Sequence, residues 1–169
     1  MEYLKADGNW ATVGENTNVF AENALWEPGH TEVVYLKIKN VGSLAFNYKL
    51  SVNIVEETKS VNVAGEELVL SNYIMMGAVE GQEEAFENRG AALGALDPDA
   101  VKAIKEGYAL SKALYPVGNP EGKANEQYVA LVVYMPESIG NEANHKTGEA
   151  VPTRATYCSL AFPSGLPTG

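Results

Sequence analysis

Cysteine is nearly absent from this chain. Cys158 stands alone, so neither an intramolecular disulfide nor a cysteine-based metal site can form. A lone thiol does not fix the redox compartment, and export remains open. Histidine is scarce as well, limited to His30 and His145. Positive charge is short: 12 Lys and Arg stand against 22 Asp and Glu, a net of −10. Such a balance lacks the basic footprint of a nucleic-acid binder and disfavours docking on anionic lipid. There is no run of about 18 apolar residues, so no segment reads as a membrane span. The first ten residues, MEYLKADGNW, contain no apolar signal-peptide core. For an exported protein, the expectation is then a mature chain with an added Met1.

Catalytic signatures are missing too. HExxH, GxSxG, a P-loop, a strand followed by GxGxxG, and an EF-hand pattern are all absent from the sequence. Glu142 and His145 stand three apart, which on a helix would place them on one face, so they are the weak metal candidates. Their neighbours Gly140-Asn141 and Lys146-Thr147-Gly148 read as loop, which favours turn hydrogen bonding instead. His30 follows Pro28-Gly29 and reads as a solvent-facing turn residue. Cys158 and His145 have no flanking pattern that would make them a nucleophile and base. Trp26, Tyr35, Tyr48 and Tyr134 either line a groove or, as strand aromatics more often do, pack in the core. The expectation is no catalytic residue, no cofactor and no metal.

What is present is strand pattern. With 169 residues and 46% hydrophobic content, the chain suits one domain with a real core. Val34, Leu36 and Ile38 alternate with Val33, Tyr35, Lys37 and Lys39; Phe46, Tyr48, Leu50, Val52 and Ile54 form a second alternating set. Asn40-Val41-Gly42 lies between them, so the local expectation is two antiparallel strands joined by a short turn. Further short strands are expected at 18–21, 61–63, 68–70 and 108–117. Asn72–Val79 is apolar on both faces, as a strand covered on both sides or a buried helix turn would be, and Gln127–Met135 is continuously apolar, as a middle strand buried on both faces would be. Residues 138–149 read as a polar loop and 157–162 as a last strand.

The middle of the chain breaks this pattern. Residues 56–106 hold eleven acidic and four basic side chains, net −7. The usual reading is a solvated face; the sharper one is a surface that steers cations or partners. Acidic residues at its start favour a helix over Glu83–Leu93. A second helix is expected from Asp97, as N-cap, to Gly107, with Pro98 at the first helical position and Val101, Ile104 and Tyr108 on one face. The fold class is therefore mainly β: an antiparallel β-sandwich with a helical insertion around residues 83–107. The domain boundaries are an irregular N-terminal arm (1–24), the sandwich (25–152) and a C-terminal tail (153–169) with one charge, Arg154.

The stretch LWEPGHTE (25–32), followed by VYLKIKNVGSLA (34–45), resembles the TasA/camelysin family of bacterial exported proteins. A second match is Met135-Pro136 with Ile139–Lys146. The resemblance implies a jelly-roll sandwich, processing by a SipW-type signal peptidase, and secretion to the extracellular matrix or cell surface of a bacterium. It also implies assembly into biofilm-matrix fibres by self-association, with accessory matrix proteins as further partners. In such assembly the N-terminal arm of one subunit donates a strand to the next. After Val151-Pro152 the sequence RATYCSLAFPSGLPTG departs from the family pattern, which would leave a sandwich edge unpaired. Camelysins are classed as metallopeptidases, but the ligand set is incomplete here. A camelysin-like metalloprotease and a monomeric cell-surface binding module are the alternatives to a fibre subunit.

Overall fold

The computed structural model of the chain describes residues 1–14, 17–20, 26–52, 54, 57 and 59–143. In chain order the strands are β1 (Glu2–Leu4), β2 (Trp10–Thr12), β3 (Thr31–Lys39), β4 (Phe46–Val52) and β5 (Ser60–Val61). They continue with β6 (Glu67–Leu68), β7 (Met75–Glu80), β8 (Lys102–Ala103), β9 (Tyr108–Leu114) and β10 (Glu126–Tyr134). One short helix, α1 (Arg89–Gly94), and 3₁₀ turns at Leu70–Asn72, Ile104–Glu106 and Glu137–Ala143 accompany them. The protein is mainly β, and the strand pairs are antiparallel. The strands form a six-stranded sheet in the order β2-β1-β3-β10-β7-β8, a β4-β9 ladder and a small β5-β6 hairpin.

Two layers bury one core. From the large sheet come Val34, Leu36, Ile38, Met76, Val129, Leu131 and Val133; from the ladder come Tyr48, Leu50, Val52, Tyr108 and Leu114. Each fully buried aliphatic side chain contributes about 1.5–3 kcal/mol, which is why the alternation of β3 and β4 was readable in sequence. The opposite face of the large sheet is covered too. Tyr35, Ala130 and Val132 are buried there. Residues 81–101 cross that face as a lid. The Phe86 ring lies 6.0 Å from that of Tyr35. Leu96 and Val101 lie so close above Gly77 that an added Cβ would stand 2.7 Å from Leu96 Cδ2. Cover on both faces accounts for the unbroken apolar character of β10.

Several sequence expectations need correction. β3 and β4 do not pair with each other. β3 pairs with β1 and β10, and β4 pairs with β9. Residues 40–45 instead carry the chain from one layer to the other. The Asn40 amide, 2% exposed, donates to the carbonyls of Leu44 (2.9 Å) and Leu114 (3.2 Å), and its Oδ1 accepts from the Gly42 N–H. Both apolar stripes are buried more fully face to face across a core than side by side in one sheet.

The N-terminal arm is not irregular at residues 1–14. β1 and β2 form a hairpin docked on β3 through Glu2↔Lys37 and Tyr3↔Leu36. Its turn runs from Lys5 to Gly8, closed by the Gly8 N–H donating to the Lys5 carbonyl, with Gly8 at φ +80, a local signal that the scattered apolar residues obscured. No strand forms at Asn18–Phe20; Ala21, the end of that expected strand, lies outside the described residues. The 61–63 and 68–70 strands appear as the β5-β6 hairpin, displaced by one or two residues. β4 ends at Val52, while Ile54 packs on the core.

The helical insertion is smaller than expected. The first helix is confined to Arg89–Gly94, capped by Asn88, whose Oδ1 accepts from the Ala91 N–H. Glu83–Phe86 stay non-helical because Phe86 is drawn onto Tyr35, whose hydroxyl accepts the Phe86 N–H at 2.8 Å. The second helix does not form. Asp97–Ala100 make a turn, with Asp97 Oδ1 accepting from the Asp99 N–H, and Lys102–Ala103 become β8 on the margin of β7. Pairing with a sheet edge outweighs the modest helix propensity of that stretch.

Candidate functional site

Among the described residues the two layers do not close at one side. β8 covers β7 only at Met75 and Met76, so no described strand lies along the outer edge of Gly77–Glu80. β9 pairs with β4 on one side and with no described strand on the other. These two edges, one from each layer, flank an open slot of about 630 Å³. Ala78, Val79 and Glu80 form one wall and Tyr108, Ala109 and Leu110 another. Ala95, Asp97, Ala100 and Lys102, from the end of the lid and β8, complete it.

A polar network lies at one end of the slot. Glu80 Oε2 accepts from Lys112 Nζ at 3.0 Å and from Gln127 Nε2 at 2.7 Å. The Tyr48 hydroxyl donates to Gln127 Oε1. Burial pushes the Tyr48 phenol up to about 12, and the Glu80 carboxylate adds to the shift. Tyr108 is raised by burial first and Glu80 second, while a hydrogen bond with the Ala78 backbone pulls it down. That bond joins β9 to β7 across the slot. The chemistry on offer is strand-edge backbone, small apolar side chains and balanced charge.

The predicted candidates do not converge here. Glu142 lies in the last part of the Glu137–Ala143 turn with its side chain exposed, and its carbonyl accepts from Asn62 Nδ2 at 3.3 Å. His145 and Cys158 lie outside the described residues, as do the 157–162 strand and the 153–169 tail. Among the described residues, no three His, Cys, Asp or Glu side chains cluster as metal ligands. His30 is more engaged than a solvent-facing turn residue. Its ring meets Trp26 edge-on at 4.8 Å, and Nε2 lies 3.3 Å from Glu32 Oε1. The four aromatics share no groove: Trp26 and Tyr48 belong to the core, while Tyr35 meets Phe86 on the lid side. Tyr134 pairs with Thr31 and Met75 at the end of β10.

The slot is hidden in the sequence because the pattern of residues 97–107 places Asp97 and Lys102 on a helix. No protein-family model, curated protein or solved structure matches this chain. No described helix is long and apolar enough to cross a membrane.

Proposed function

We propose that the protein is a secreted structural subunit of extracellular biofilm-matrix fibres, and that its copies assemble by strand donation. The observation that carries this reading is the pair of strand edges left without a described partner, Gly77–Glu80 of β7 and Tyr108–Leu114 of β9. Unpaired edges are templates for another chain's backbone, and a fold that keeps them invites β-augmentation. The motifs at residues 25–45 and 135–146 support the same reading, and a two-layer mainly-β fold is compatible with a jelly roll. The N-terminal hairpin is the donor in this proposal. It touches β3 at two register positions only, so its exchange from its own sheet to another copy sacrifices few pairings.

The test is the size and morphology of the purified chain over time, by light scattering with negative-stain microscopy. Filaments of constant width are expected, and deletion of residues 1–20 should abolish them. A chain that stays monomeric, also in acid and with added Ca²⁺, would overturn the proposal in favour of a binding module.

A further inference from the structure

We infer that the molecule carries an apolar cap at one end of its strands, and that this cap adsorbs end-on to the air–water boundary. Four large aliphatic side chains are exposed among the described residues. Three of them, Val41 (87%), Leu44 (64%) and Val117 (72%), lie in the β3–β4 and β9–β10 connections. Both connections emerge at the same end. β3 ends at Lys39, opposite Glu126 at the start of β10, and β4 begins at Phe46, opposite Leu114 at the end of β9. Asn40 binds the two loops together. Its side-chain amide donates to the Leu44 and Leu114 carbonyls, and its N–H donates to the Asn125 carbonyl at 2.7 Å. The Tyr115 N–H closes the second loop on the Ala124 carbonyl at 3.0 Å. The exposure is thus built into a hydrogen-bonded corner, where polar turn residues would cost no core packing. Single exposed aliphatics need no account; three at one end of a molecule do.

The charge around the cap selects what it meets. The chain carries −10, yet loops 40–45 and 115–125 hold one acid and one base, Glu121 and Lys123, which pair with each other. Lys39 and Glu126, at the strand ends behind them, pair as well, at 3.4 Å. A charged group is driven back from a low-dielectric boundary, so the part of the molecule that reaches it must be neutral. The cap meets that condition. It offers little to anionic head groups, because Lys123 is held by Glu121 and lies over the Tyr115 ring at 4.5 Å. Three side chains also fall short of the roughly 800 Å² per partner of a stable protein interface. An air boundary requires neither head-group contacts nor a complementary surface; it takes up apolar area that leaves water.

The orientation follows from the fold. β3, β4, β9 and β10 each have one end at the cap, so the adsorbed molecule stands on its strand ends. The loops are tied through Asn40 to a filled core, so adsorption needs no unfolding. The inference is independent of the fibre-subunit reading: the cap acts in a single molecule, and filaments can form without it.

The experiment is pendant-drop tensiometry of the full chain beside two variants. One carries Val41→Ser, Leu44→Ser and Val117→Ser together. The other is Val63→Ser, the fourth exposed aliphatic, which lies in the β5-β6 turn. Urea midpoints should be unchanged in both, because the replaced side chains are exposed. The lag before surface tension falls should lengthen at least about fivefold in the triple variant, since apolar area at first contact is lost. It should keep its native value in Val63→Ser. Infrared spectra of the native film should retain the amide I band of antiparallel strands. An unchanged lag in the triple variant, or an equal lengthening in Val63→Ser, overturns the cap. Loss of the strand band would mean that the film forms by unfolding, and overturns it too. Flotation of the native chain with neutral phosphatidylcholine vesicles, abolished in the triple variant, would assign the cap to a lipid surface instead. A dimer abolished in that variant would assign it to a second copy. Filament formation, which decides the fibre-subunit reading by itself, should not differ between the native chain and the triple variant.

Discussion

Asn40 ties both layers to one corner of the molecule. Its amide serves two carbonyls and its oxygen one N–H, all beneath a fully buried side chain. Asn40→Ala should therefore cost about 2–3 kcal/mol, because groups buried with it lose their partners; the urea midpoint measures the loss. Tyr48 makes a pH prediction. Its folded-state value is raised from 10.0 to about 12, so the folded protein holds the phenol proton more tightly than the unfolded chain. The stabilisation is fully present below pH 10 and is lost as pH rises through about 12. Denaturation midpoints should fall over that window, and Tyr48→Phe should flatten this component of the fall. A midpoint equally steep in Tyr48→Phe would sink the assignment.

At the level of elements, the lid and the hairpin are the parts with separable energetics. α1 is only six residues long, too short to persist without its cap and its packing. Asn88→Ala should cost about 1 kcal/mol. Amide exchange at Phe86, whose N–H bonds the Tyr35 hydroxyl, should quicken while the β10 amides stay protected. The hairpin is held by the Lys37–Glu2 ion pair at 2.7 Å, by Lys37 over the Trp10 ring at 5.3 Å, and by the edge-on contact of Trp10 with Tyr128 at 5.7 Å. Deleting residues 1–14 should leave the two-layer core folded but unprotect the β3 amides that face β1. Hydrogen exchange at Lys37 is the measure, with Leu36, whose N–H faces β10, as the protected control. Global unfolding of the truncated chain would instead make the hairpin part of the cooperative core.

At the scale of the whole molecule, charge opposes association and backbone pairing favours it. Copies carrying −10 repel beyond contact, and at 0.1 M salt that repulsion is screened over about 10 Å. Filament growth should therefore accelerate from low to moderate salt, as read by light scattering. Slower growth at higher salt would mean that ion pairs between copies, rather than strand pairing, hold the assembly together.

The sequence by itself determined the mainly-β class, the apolar strands 31–39, 46–52, 75–80 and 126–134 to within a few residues, and that Cys158 has no cysteine partner within it. Period-two alternation and continuous apolar runs are local consequences of burial, so single strands can be read from residues such as Leu36, Leu50 and Leu131. The tertiary structure decided which strands pair. Two alternating stripes joined by a short turn suit a hairpin as well as a crossover, and only the competition for core area places β3 and β4 in different layers. It also decided the fate of residues 97–107, where a capped helical pattern yields to the free edge of β7. The slot belongs to that same level, because whether a strand edge has a partner among the described residues is a property of its neighbours and leaves no mark on the strand's own residues.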